Sequence, residues 1–269
     1  WRRLRRNKAA LIGLIIIVIN LLMAILAPVI APQDYKTQVL VDNNAAPLWV
    51  TRLFPTMIPR SEGGYVNISD KYVLGADSLG RDLFSRIAVG ARISLLIGLA
   101  TAGVSVVIGT LYGTVAAFCE GKTDVLMMRL IDVIYSLPGL MIVILFSVFL
   151  GRGITSLVLA LSLFSWPDTA RIIRGQILSL KREEFIEAFH SLGGSTARLV
   201  TRHFLPNLSG LIILTATITV PRAILTESTL SFIGLGVEPP LSSWGTLASE
   251  GWQLVRVAPH MIFFPALMI

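Results

Sequence analysis

The chain has 269 residues, of which 54% are hydrophobic and only 14% charged. A soluble domain carries about 25% charged residues, so an ordinary water-soluble core is excluded. The charge that remains is basic, net +7; on so apolar a background this points to the positive-inside bias of membrane proteins and not to nucleic-acid binding.

The chain opens with WRRLRRNK, five basic residues and no acid. An apolar run follows at 9–31, closed by Pro28 and Pro32. It is longer than the apolar core of a signal peptide and ends in proline-rich sequence, so it predicts an uncleaved first transmembrane helix with a cytoplasmic N-terminus. Residues 1–31 form this first segment. Residues 32–90 are rich in Pro, Gly, Asn and Asp, with six basic and six acidic residues. They predict a loop-dominated extracytoplasmic insertion, too poor in apolar residues to stand as a robust domain.

Residues 91–269 are expected to form the core membrane domain. Further spans are predicted at about 93–118, 128–150, 154–174 and 208–227. A last one starts near 255 and is still apolar at Ile269, which predicts a helix cut short there. Six helices place both ends inside. Charge agrees: the stretch 171–203 carries Arg171, Arg174, Lys181, Arg182, Arg198 and Arg202, whereas 228–254 has Glu238 and Glu250 with no Lys or Arg. The expected fold is therefore an all-α integral membrane protein with six transmembrane helices.

Within the second span Gly109 and Gly113 form a GxxxG pattern, which predicts close helix packing. Cys119, the single cysteine, reads as a small apolar residue at a helix end and excludes an intrachain disulfide framework. Gly121-Lys122-Thr123 lacks the first glycine of a phosphate loop, since position 116 is Ala. His190, His203 and His260 do not have metal-ligand spacing, and no catalytic constellation is visible, so no enzyme activity and no metal site are expected. Ionisable groups at membrane depth are costly. Arg129 with Asp132, and Asp168 with Arg171, stand three apart on one helix face and predict self-neutralising pairs near the cytoplasmic interface; the other reading is a role in a gate or a subunit contact. Trp166-Pro167 predicts a kink in the fourth span. Thr215, Thr217 and Thr219 lie mid-span in the fifth, with Arg222 and Glu227 near its outer end. Packing and snorkelling account for them; the other reading is a translocation path lined by Thr215, Thr219, Arg222 and Glu227.

Between the fourth and fifth spans stands EFIEAFHSLGGSTARLVTRHFLPN, residues 184–207. Phe185, Ala188, Phe189 and Leu192 make one apolar stripe on a short helix. Gly193-Gly194 ends that helix, and Ser195 is placed to cap the next, which is expected to close at Leu205-Pro206. A stripe on so short a helix must rest on the transmembrane bundle, lie on lipid or fill a groove on a partner.

These residues resemble the EAA loop of binding-protein-dependent ABC importers. Glu187-Ala188-Phe189, then Gly193, then Leu205-Pro206 keep the family's spacing, with Phe189 in place of the second Ala and His203 in place of an apolar residue. LGADSLGRDLFSRIAVGARISLLIG at 74–98, ARIIRGQILSLKREEF at 170–185 and ESTLSFIGLGVEPPLSSWG at 227–245 are similar to the dipeptide, oligopeptide and nickel permease group, most of all to C-type subunits of oligopeptide permeases. The resemblance implies a type I ABC importer permease fold, with a coupling-helix hairpin at 181–206 that docks in a groove on an ATPase. Glu184, Phe185, Glu187, Ala188, Phe189, Leu192, Gly193, Gly194, Ser195, Arg198, Leu205 and Pro206 are its expected coupling residues. It further implies a second homologous permease subunit in a heterodimer, two ABC ATPase subunits that hold the ATP and Mg, an extracytoplasmic solute-binding protein, and no cofactor on this chain. The expected location is the bacterial inner membrane and the expected cargo a peptide. The alternatives are nickel or another small solute through the same machinery, or an ion-driven secondary carrier, which would need an ion site near the midplane.

Overall fold

The computed structural model describes residues 7–184, 186, 189 and 193–269. It is mainly helical. Helix α1 (Lys8–Ile30) is capped by Asn7, whose side chain accepts from the Ala10 N–H at 3.2 Å. Its apolar side chains are exposed almost throughout, as lipid-facing residues of a lone span would be. A two-residue parallel pairing, β1 (Ala45–Ala46) with β2 (Asn67–Ile68), and the short helix α2 (Leu48–Leu53) follow. Then come α3 (Leu83–Cys119), α4 (Gly121–Ser136), α5 (Gly139–Leu150), α6 (Ile154–Leu180), α7 (Thr196–Leu199), α8 (Leu205–Phe232), α9 (Trp244–Gln253) and α10 (His260–Met268).

Among the described residues α1, α3 and the helical stretch Thr196–Phe232 are long and apolar enough to cross a membrane. Helices α4 and α5 together make a fourth candidate, but they are bent by 85° at the break between them. The apolar run at 128–150 predicts one continuous span, and the structure breaks it at this joint. Its cause is local. Pro138 disfavours the helical conformation of the residue before it, and Leu137 is extended at φ −82°, ψ 143°. Helix α6 carries Asp168, Arg171 and Arg174, which lower its hydropathy, and α10 has nine residues. Neither meets the length and composition of a span by itself.

The chain divides into two compact units. The first holds residues 1–97, 152–154 and 224–269. Here the loop-rich segment is ordered around buried Ala45, Tyr72 and Ala76. The Tyr72 hydroxyl donates to Asp42 at 2.8 Å and the Lys71 ammonium at 3.1 Å, and these two bonds hold the Asp42 carboxyl below its usual range. The segment also leans on α10: Trp49 meets Phe264 and Phe54 meets Phe263, with ring centroids 5.9 and 5.3 Å apart. A segment short of apolar residues thus borrows a surface to rest on. At its end, buried Asp77 accepts from Arg81 and from Arg86, each at 2.6 Å, and Arg86 reaches Glu250 on α9.

The second unit holds residues 98–151 and 155–223. Its α3 and α6 segments touch where the GxxxG pattern predicts. A Cβ on Gly109 would stand 2.6 Å from the Thr169 Cβ and 2.7 Å from the Trp166 carbonyl, and Gly113 lies equally close to Ala170. Gly103 has nothing within 4 Å and serves no such contact.

Candidate coupling loop and polar helix faces

The loop is rooted in the second unit. Arg174 donates to both carboxylate oxygens of Asp124 at 2.5 Å, a bidentate pair that ties the end of α6 to the start of α4. Two turns on, Lys181 donates to the Ala117 carbonyl at 3.1 Å and pairs with Glu120. Beyond this clasp the chain leaves α6.

Phe185, Glu187, Ala188 and Leu192 lie outside the described residues, as does His190. The backbone at 184, 186 and 189 is helical. Gly193 is left-handed at φ +75°, and the Gly194 N–H donates to the Phe189 carbonyl at 3.0 Å. This six-to-one bond around a left-handed glycine is the Schellman cap that Gly193-Gly194 predicts. Ser195 has the extended backbone of an N-cap, yet its side chain makes no capping bond. The cap is therefore backbone alone at that position.

The second helix does not close at Leu205-Pro206. It passes through a π turn, Val200–Phe204, and continues as α8. The Leu205 N–H bonds to the Val200 carbonyl, five residues back. The wide turn absorbs a proline that lacks a donor for the regular ladder, so helix replaces the expected stop.

Of the apolar stripe, Phe189 packs against a core of this chain's own residues: Ile173 and Ile177 on α6, Leu199, Phe204 and Leu208. Ile186 is buried in the same core, and Phe189 also meets the His203 ring at 5.2 Å. Ile186 was not among the expected residues; its place one residue past Phe185 puts it off the periodic stripe. Glu184, Gly193, Ser195, Arg198 and Pro206 are exposed, whereas Gly194 and Leu205 are half-buried.

The residues expected on a path are scattered. Thr215 is buried and its hydroxyl donates to the Ile212 carbonyl at 2.9 Å; Thr219 donates to the Thr215 carbonyl at 2.8 Å. Both hydroxyls satisfy the preceding turn, as threonine in a span commonly does. Glu227 is fully buried in the first unit and does not snorkel. One of its oxygens accepts from Ser231 at 2.6 Å and from Ser243 at 2.7 Å. Ser243 caps α9 in a reciprocal capping box with Thr246. Glu227 thus positions α9 against the end of α8, a role that its position at a span end does not announce.

Arg222 alone of these is exposed, and it joins a cluster of charged groups in the second unit. Arg222 donates to Asp168 at 3.2 Å, Tyr135 donates to the other oxygen of Asp168, and Arg171 donates to Asp132 at 2.6 Å. The Arg171 guanidinium also stacks over the Tyr135 ring, 4.7 Å from its centroid. The expected pairs along single helices are corrected: Asp132 and Asp168 pair across helices, because the three faces meet.

Sequence comparisons agree with this architecture. The family profile described as the binding-protein-dependent transport system inner membrane component matches residues 85–269. The chain belongs to this permease family. A second profile, the N-terminal TM domain of oligopeptide transport permease C, matches residues 1–47 of the permease. The permease is 42% identical over 264 residues to the oligopeptide transport system permease protein OppC of Bacillus subtilis (strain 168), covering 98% of this chain and 80% of that one. It is 42% identical over 265 residues to OppC of Escherichia coli (strain K12), covering 98% and 82%. It is 39% identical over 271 residues to the dipeptide transport system permease protein DppC of Bacillus subtilis (strain 168), covering 100% and 78%. The chain is a multi-pass inner-membrane permease subunit of an ABC importer, mostly helical, working within a transporter complex.

Proposed function

We propose that this permease moves peptides, oligopeptides or dipeptides, across the cytoplasmic membrane, driven by ATP that partner subunits hydrolyse. Near-complete coverage at 42% identity to an oligopeptide permease carries this reading of the cargo. Six transmembrane helices, a cytoplasmic N-terminus and an extracytoplasmic segment at 32–90 complete it, with the core at 91–269. The second permease subunit, two ATPases and a solute-binding protein form the complex. This chain holds no catalytic group; ATP and Mg reside on the ATPases. Nickel complexes and an ion-driven carrier mechanism are the less favoured readings.

Coupling runs through residues 181–206. The hairpin's inner side is packed on the permease itself through Ile186, Phe189, Leu199 and Phe204. Its exposed side, with Glu184, Gly193, Ser195 and Arg198, is left for an ATPase groove. Phe185, Glu187, Ala188 and Leu192 belong to the same docking set. When ATP draws the ATPases together, the hairpin moves with them. Because its inner side interlocks with Ile173, Ile177 and Leu208, the displacement passes to α6 and α8, which tilt and open the path outward. Hydrolysis reverses the step. This is a two-state element biased by nucleotide binding elsewhere.

The test is uptake by the full complex reconstituted in liposomes with its binding protein. ATP-dependent uptake of isotope-labelled alanine peptides is expected, insensitive to collapse of the proton gradient. Uptake that needs an ion gradient and no ATP, or uptake of nickel complexes with no peptide competition, overturns it.

A further inference from the structure

The cluster of Asp132, Tyr135, Asp168, Arg171 and Arg222 has no part in the coupling loop. The four charged side chains are 48–69% exposed. Asp132, Tyr135, Asp168 and Arg171 line, with Ile172, an open concavity of about 390 Å³, and Arg222 reaches its edge through Asp168.

Depth makes this unusual. Asp168 sits at the middle of the 27-residue α6, about 20 Å from either end of the helix. Arg222 lies about 25 Å from the start of α8 and about 15 Å from its end. A hydrocarbon core is about 30 Å thick, so Asp168, midway along α6, lies deep in it, and Arg222 is drawn to that depth by pairing with Asp168. Ionisable groups at that depth face the bundle interior or water. A second observation points to water. Tyr135 stands at the broken joint between α4 and α5, and residues 135–138 are exposed. Non-helical backbone is tolerated at membrane depth only within protein or along a water-filled cavity. A dry seam against another subunit would have to desolvate four charges, at several kcal/mol each.

The chemistry of the cluster selects a ligand. Two carboxylates, two guanidiniums and a phenol sum to no net charge. A zwitterion can exchange partners with such a set and leave no group unpaired. Its ammonium takes Asp168 or Asp132, and the displaced arginine turns its planar fork onto the carboxylate. We propose that this concavity is a station on the translocation path that receives the terminal ammonium and carboxylate of a peptide. The proposal rests on the peptide-permease reading and adds the residues that meet the cargo in transit.

The experiment uses the complete reconstituted complex and isotope-labelled alanine peptides of two to five residues. In Asp168→Asn and Arg222→Gln, peptide taken up per ATP hydrolysed falls about tenfold, as expected for the loss of one charge-assisted hydrogen bond. In a Cys119→Ser background, Tyr135→Cys and Ile172→Cys react with a membrane-impermeant thiol reagent, and peptide-loaded binding protein with ATP slows that reaction. The labelling leaves all four charges in place, so it decides even if a charge variant fails to assemble with its ATPases. Undiminished uptake per ATP in both charge variants, or labelling by lipid-soluble reagents alone, overturns the station while wild-type peptide uptake upholds the cargo. A wild-type complex that takes up a different solute and no peptide overturns both.

Discussion

The Arg86 guanidinium grips Glu250, 164 residues further along the chain, through both terminal nitrogens at 2.5 and 3.0 Å. The same guanidinium donates to Asp77 at 2.6 Å, so one nearly buried cation joins the loop-rich segment, α3 and α9. Replacing Arg86 with Met leaves buried Asp77 with Arg81 alone and Glu250 without its bidentate partner, and is expected to destabilise the protein by about 1–3 kcal/mol. Glu250→Gln costs less, since Glu250 is 37% exposed and Asp77 keeps both arginines. Thermal unfolding in detergent, read on both variants, checks the order. Equal midpoints would remove the network's claim to hold these elements together.

The loop-rich segment responds to acid. Asp42 is held below its usual 3.8, first by the Tyr72 hydroxyl and then by Lys71. A depressed carboxylate contributes stability that is present above its unfolded value and lost as pH falls through the folded one. Amide-exchange protection around 42 and 72 is therefore expected to hold down to the ordinary aspartate range and to drop below it. Asp42→Asn should flatten that dependence; a drop that persists in the variant assigns it to other groups.

Helix contact between α3 and α6 depends on a missing Cβ. Gly109→Ala drives a methyl into Thr169 and the Trp166 carbonyl and is expected to destabilise by about 1–3 kcal/mol. Gly103→Ala meets nothing within 4 Å and, with the better helix former, is expected to be neutral or to stabilise by up to about 1 kcal/mol. Opposite signs in paired melting curves are the predicted result.

Gly193 separates backbone strain from crowding. A side chain there has open space, yet φ +75° costs an L-residue about 1–2 kcal/mol. Gly193→Val is expected to lower uptake per ATP hydrolysed, with Gly193→Asn milder because asparagine tolerates that conformation. Membrane insertion, followed by fractionation, should be unchanged in both. Wild-type coupling in Gly193→Val would free the turn from any part in force transfer.

Periodicity and punctuation made much of the loop legible. The left-handed cap at Gly193 follows from glycine's missing Cβ and needs no partner to explain it. The GxxxG contact was equally local, since small residues announce that something comes close. What came close, Trp166 and Thr169, was not announced. The broken joint at Leu137-Pro138 has its signal in the proline, but the apolar run continues across it and by itself predicts one span. The continuation of helix through Leu205-Pro206 was not readable, because a π turn rests on backbone register.

The amino-acid sequence by itself determined that this is a lipid-embedded helical protein, where its apolar runs lie and where its loop turns. Those follow from transfer of side chains out of water and from local backbone sterics. Only the tertiary structure decided which charges meet: Asp168 took Tyr135 and Arg222 in place of its helix neighbour, and Arg86 found Glu250. Pairing of charges is settled by distance in space, and the spacing along one helix carries no information about which face of another will be packed against it.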